Sequence, residues 1–228
     1  MIARVQVLRQ AVPLCGLLLT GTRLAAQTVT ASAVIANPKS SVRLGGVTDR
    51  GAGLWAGVAF DLQVGRFEIR GSGMRGRLTP GEAGAAPDRD VGETSFGLGY
   101  AVRPWLGFEL QYTARAFRSA AGRQRWDMLG VSASARHDLG IPDVRAFAAL
   151  VYLPIVTLSD QKGPSFAFGS EVGIFVAPSR TPLVVQLSYG VQRFRFPATT
   201  GRSEQFETLT LSVGARVRRL DGRWRLGG

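Results

Sequence analysis

Few side chains in this sequence have the type and spacing that chemistry requires. The only histidine, His137, is followed by Asp138, and the only cysteine is Cys15. A histidine beside a carboxylate is the smallest acid–base unit. A hydrolase would also need a nucleophile, and no serine stands in a G-x-S-x-G turn. One Cys and one His exclude disulfide scaffolds and multi-ligand Cys or His metal centres, so no metal and no cofactor is expected. Gly71-Ser72-Gly73-Met74-Arg75-Gly76 matches the dinucleotide pattern G-x-G-x-x-G. That pattern holds a pyrophosphate only where a helix follows and aims its amides at it. Arg77-Leu78-Thr79-Pro80-Gly81 follows here and cannot begin such a helix, so these glycines are read as strand residues.

Charge is the next resource. The chain has 28 Lys+Arg against 16 Asp+Glu, a formal net charge of +12, and Lys39 and Lys162 are its only lysines. The arginines are scattered rather than gathered in a basic tract, which argues against nucleic acid as a partner. Ion pairs inside the protein and contacts with anionic lipid head groups are the expected uses.

Residues 1–26 read as an address. Met1 to Gln10 carries Arg4 and Arg9 and no acid, Ala11 to Gly21 is apolar, and the segment ends in Leu24-Ala25-Ala26. A basic start, a short apolar stretch and small residues make a secretory signal peptide, with cleavage expected after Ala26. No later run is long enough for a transmembrane helix, so any membrane span must be made of strands.

Those strands are visible as period-two alternation. Leu54, Ala56, Val58, Phe60 and Leu62 share one face, with Trp55, Gly57, Ala59, Asp61 and Gln63 on the other. Leu106–Ala114, Phe96–Val102, Leu183–Val191 and Leu209–Val217 repeat the pattern. Clear strands fall near 53–63, 66–78, 92–103, 105–118, 124–138, 143–158, 165–177, 183–196 and 205–219, while 144–158 is apolar on both faces. Tight turns near 64, 104, 141 and 180 recur roughly every 40 residues, one hairpin each, with mostly longer polar connections between them. A further hairpin fits before residue 63, its first strand near Ser40 to Thr48. The fold class is therefore all-β: a closed antiparallel up-and-down transmembrane barrel, with ten strands satisfying the even parity and eight as the alternative. The expected organisation is a signal peptide (1–26), an N-terminal periplasmic segment (27–39), the barrel (40–220) and a C-terminal tail (221–228).

The strand–turn–strand segment Ala101-Val102-Arg103-Pro104-Trp105-Leu106-Gly107-Phe108-Glu109, together with the leader and the alternation, resembles the small outer-membrane β-barrels of Gram-negative-type bacteria, the OmpA-like and porin-family proteins. The resemblance spans about residues 40–220. It implies residence in the outer membrane, with lipid, lipopolysaccharide and the barrel-insertion machinery as partners.

Alternation then divides the side chains. Expected on the lipid side are Leu54, Val58, Phe60, Leu98, Phe108, Leu110, Tyr112, Val185, Leu187, Leu209, Leu211 and Val213. Expected in the lumen are Asp61, Glu68, Arg70, Glu109, Gln111, Arg115, Glu171, Gln186, Gln192 and Arg216. Two aromatic girdles are expected. Phe60, Phe67, Tyr100, Trp105, Phe108, Phe147 and Phe175 would mark the turn side. Phe117, Trp126, Phe166, Phe194, Phe196 and Phe206 would mark the loop side, with a bulge turning Phe194 and Phe196 to lipid. His137 is expected at the turn-side rim, solvated. The functional expectation is a non-enzymatic outer-membrane barrel with a structural or narrow-pore role, its lumen filled by charged and polar side chains. A soluble exported barrel holding a small apolar ligand and an outer-membrane-embedded hydrolase are the alternatives.

Overall fold

A computed structural model describes residues 27–81, 87–120, 122–159, 161–220 and 223–226. The expected signal peptide, with Cys15 and Ala26, lies outside the described residues. Ten strands run up and down in chain order and close into a barrel. They are β1 (Gln27–Leu44), β2 (Val47–Val64), β3 (Phe67–Pro80), β4 (Arg89–Arg103), β5 (Leu106–Ser119), β6 (Gly122–Asp138), β7 (Val144–Leu158), β8 (Phe166–Val176), β9 (Leu183–Arg195) and β10 (Arg202–Leu220). The ring closes where β10 pairs with β1, from Gln27↔Arg219 to Leu44↔Arg202. Inside the expected tail, a short β11 (Arg223–Leu226) pairs back on the end of β10 and stands outside the ring.

Pairing around the ring is staggered. From Ile35, successive partners in one direction are Ala56, Arg75, Gly92, Ala116 and then Arg125 on β6. In the other direction they are Leu211, Leu187, Ile174, Ala146 and then His137, on the same strand. The offset between Arg125 and His137 is the shear of the barrel, and it tilts the strands to roughly 40°.

The first strand corrects the sequence expectation. Residues 27–39, read as a periplasmic segment, are the opening residues of β1, because Thr28, Thr30 and Ser32 alternate with Val29, Ala31 and Ala33. Alanines carry the outward face there, and Pro38 reads as a break because it has no N–H to give. The fold accommodates it: Pro38 keeps its place opposite Thr208 on β10, and Asn37 Nδ2 donates to the Gly53 carbonyl at 2.9 Å, supplying a donor to β2 where the β1–β2 ladder is interrupted. The hairpin then turns at Gly45-Gly46, both with positive φ, so β2 begins at Val47 rather than near residue 53.

The ambiguous segment 144–158 has an equally local cause. A register shift opposite Leu129 and Val131 places a bulge at Pro154. Tyr152 and Ile155, three residues apart, are thereby both exposed, while Leu153 and Leu158 are both buried.

Polarity inverts along the strands. Toward the turn end the outer face is apolar: Val58, Phe60, Leu98, Phe108, Leu110, Leu187, Leu211 and Val213 are all exposed, and Val185 half-exposed. On β10 the outer face is apolar from Leu209 to Val217, which at ~3.3 Å rise and this tilt covers roughly 20 Å of a bilayer core. Toward the loop end the outer face becomes charged, with Lys39, Arg43, Arg50, Arg77, Arg118, Arg193 and Arg195 exposed. The inner face changes in the opposite sense at the same level. β9 places Gln186 and Ser188 inward below Phe194 and Phe196, and β10 places Ser212 and Thr210 inward below Phe206.

This inversion corrects the loop-side girdle. Phe194, Phe196, Trp126 and Phe206 are buried inside the barrel, between 2% and 6% exposed, and Phe117 packs with them. The β9–β10 register runs unbroken, so no bulge turns Phe194 and Phe196 outward. Their opposite parity relative to Leu187 and Tyr189 means that they lie inside while those residues lie outside. The outer aromatics at this level are Tyr112, Tyr152, Tyr189, Phe166 and Phe168. Tyr112 and Tyr189 donate their hydroxyls to Asp127 and Glu207, as side chains with an apolar body and a wet tip do at a membrane boundary. On the turn side Phe60, Phe67, Tyr100, Trp105 and Phe108 are exposed as expected. Phe147 and Phe175 are half-buried on the inward parity, and the Phe147 ring lies across Gly173. The β5–β6 connection is also shorter than expected, since Ser119 pairs with Gly122.

Candidate functional site: the filled lumen and its mouth

Two layers fill the interior. The lower layer, near the turn end, is an ion-pair web centred on Arg70. Its guanidinium donates to Asp61 at 3.2 Å, Glu68 at 2.6 Å and Glu109 at 3.1 Å. Glu68 also receives Arg136 from β6, across the lumen, at 3.2 Å. The fork of an arginine can serve several carboxylates at once, which a lysine ammonium does less well. Gly97 makes room for this arrangement, because a Cβ there would stand 2.4 Å from Glu109 Oε1.

The upper layer is apolar. One cluster gathers Trp126, Met128, Leu153, Leu158, Ala167, Phe194 and Phe196, and another gathers Ala36, Trp55, Leu78, Val91 and Phe206. Phe117 touches both. The rings meet edge to face, with Trp126 and Phe194 at 4.9 Å and 76°. Arg115 stands among them, its side chain 5% exposed. It donates to Glu93 at 2.5 Å and to Gln192 at 3.0 Å, and lies 4.0 Å over the Phe206 ring. A buried cation is tolerable only with such partners.

Above this layer the barrel opens at the loop end into a cavity of about 480 Å3. Phe117, Trp126, Phe194, Phe196 and Phe206 line it from below, and Arg89, Lys162, Arg202 and Glu204 are among its polar walls. Arg202 lies 4.5 Å over the Phe196 ring and pairs with Glu204.

The residues expected in the lumen take the following places. Asp61, Glu68, Arg70 and Glu109 meet in the lower web, and Arg115 meets Gln192 in the upper layer. Gln111 lies against Gly130 and Glu171 beside Gly190, while Gln186 is half-buried on β9. Arg216 stands apart, half-buried near the turn end, its Nε buried without a partner. Glu109 pairs with Arg70 and Arg115 with Glu93, so the two belong to different layers. Sequence reasoning missed Glu93 and the aromatic layer. The available signal was the parity of Trp55, Phe194 and Phe196, opposite to the apolar face of their own strands. His137 is exposed at the turn end of β6, on the same outward parity as Ala133 and Ala135. Gly71 to Gly76 lies wholly within β3, with the Phe60 ring across Gly71.

No family model matches the sequence, and no curated protein matches it. Among solved structures, the chain is similar to the outer membrane protease OmpT from Escherichia coli, at 11% identity over 87% of this chain and 98% of that one, with a TM-score of 0.50. Weaker likenesses are the translocator domain of the autotransporter NalP from Neisseria meningitidis and neisserial surface protein A. The first is 15% identical, over 93% of this chain and 95% of that one, with a TM-score of 0.37. The second is 13% identical, over 84% and 97%, with a TM-score of 0.35. The match to the protease, beside the closed ten-strand ring and its apolar outer band, gives this chain the fold of the small outer-membrane β-barrels.

Proposed function

We propose that this chain is an integral outer-membrane barrel with a structural role and a closed lumen, without enzymatic activity. The observation that carries the reading is the double filling of the interior. An ion would have to pass the Arg70 web and then an apolar layer in which Arg115 is already paired. The arginine-bearing outer collar suits contact with the phosphates of lipid head groups, including lipopolysaccharide, just above the apolar band. His137, exposed at the turn end, has no place in a catalytic cluster at the mouth.

The test is single-channel recording in planar bilayers. The wild type should show low or no conductance. Glu109→Ala with Arg70→Ala opens only the lower layer and should stay low. Adding Trp126→Ala and Phe206→Ala should raise conductance. A large, stable wild-type conductance would refute the closed lumen.

A further inference from the structure

The loop-end cavity combines a floor of packed aromatic rings with walls that carry cationic side chains, the lining that small-molecule sites use. We propose that the loop-end cavity binds a small planar aromatic carboxylate. Its volume, about 480 Å3, lies within the range of small-molecule sites and exceeds what ordered water alone requires. Trp126, Phe194 and Phe196 are already packed edge to face, so a planar ring resting on them from the cavity side meets a rigid aromatic floor.

The walls set the sign of the ligand. Arg89, Arg115, Arg202 and Lys162 line the cavity against Glu204 alone among acids. Arg89 is held by Asp49, Arg115 by Glu93 and Arg202 by Glu204, so the surplus charge around the opening is that of Lys162, which favours an anion and disfavours an ammonium ligand. Depth sets the shape. The floor is the packed layer that holds Arg115 over Phe206, so a long acyl chain has nowhere to extend. The proposal does not rest on the conductance of the lumen, because the cavity lies above the layer that seals it.

Three probes of equal shape separate the terms: 2-naphthoate, 2-naphthalenemethanol and 2-naphthylmethylammonium, titrated calorimetrically into the full barrel in lipid nanodiscs, with empty nanodiscs as reference. The naphthoate should bind saturably and about fivefold more tightly than the alcohol, the value of one favourable rim charge, with the ammonium weakest. Lys162→Ala, at an exposed position, should weaken naphthoate several-fold and leave the alcohol unchanged. Phe196→Ala should weaken naphthoate and alcohol alike. Equal affinity for all three probes, or naphthoate uptake no greater than that of empty nanodiscs, would overturn the proposal. An unchanged naphthoate affinity in Lys162→Ala would overturn its electrostatic half.

Discussion

Removing Arg115 is the most demanding test of the interior. Its guanidinium is bonded to Glu93 at 2.5 Å and to Gln192 at 3.0 Å, and it faces Phe206 at 4.0 Å. The Arg115 and Glu93 side chains are 5% and 12% exposed, so neither charge has water to fall back on. Arg115→Met fills much of the volume but leaves the Glu93 carboxylate buried and alone. Breaking a buried pair in this way costs about 3–5 kcal/mol. The lost ring contact, worth up to about 2 kcal/mol when desolvated, falls within that range rather than on top of it. Glu93→Gln should cost less, since Arg115 keeps Gln192 and Phe206. The double variant Arg115→Met with Glu93→Gln removes both charges and should be more stable than the sum of the single losses implies, by about 2 kcal/mol or more. Urea unfolding in lipid vesicles, followed by the emission of Trp126 and Trp55, measures all four corners of the cycle. Single losses under about 1 kcal/mol, or strict additivity, would show that the pair is solvated and that the upper layer is not a dry core.

Other consequences are simpler. Leu110→Arg and Leu211→Arg, in the middle of the apolar band, should each cost about 2–4 kcal/mol and impair assembly in vesicles, whereas Thr210→Arg on the inner face should be better tolerated; equal yields of heat-modifiable barrel would contradict the orientation. Gly76→Ala would set a Cβ 2.2 Å from the Leu54 carbonyl and 2.3 Å from the Trp55 ring, while Gly73→Ala meets nothing within 4 Å, so only the first should lower the urea midpoint. Asn37→Ala removes the donor that serves Gly53 and should cost about 1–2 kcal/mol in the same assay. N-terminal sequencing of the exported protein should begin at Gln27, and an intact Met1 in the membrane fraction would sink the signal-peptide reading.

Much of the fold was legible because strand parity is a strong signal wherever the two faces differ. Leu106 to Ala114 and Leu209 to Val217 alternate cleanly, and their strands lie where expected. Legibility failed where another group compensates for a breaker. Pro38 hid β1 because the remedy, the Asn37 amide, lies on the strand itself but acts across the hairpin. Pro154 hid the bulge that brings Tyr152 and Ile155 to one face. The lower charge web was within reach, since Asp61, Glu68, Arg70 and Glu109 all share the polar parity. The mouth was not, because it follows from reading one inside–outside assignment along the whole strand. A membrane-spanning barrel is apolar outside and a ligand-holding soluble barrel apolar inside, and each reading applies one assignment to the entire chain. The barrel uses the first in its lower part and the second above it.

The inverted collar also constrains how the barrel reaches its place. To stand at the loop end, Arg43, Arg50, Arg77, Arg118, Arg193 and Arg195 must each cross the hydrocarbon before the barrel is complete. Hairpins such as Gly45-Gly46 and Ser119–Gly122 carry almost no additional chain, so the load per crossing is only the strand tips. Two of those tips carry a counter-charge within their own hairpin, Arg77 beside Asp90 and Arg125 beside Asp127. A hairpin pair that moves as a neutral unit meets a lower barrier than its arginines would alone. The acids at the rim thus bear on the barrier to insertion as well as on the finished surface.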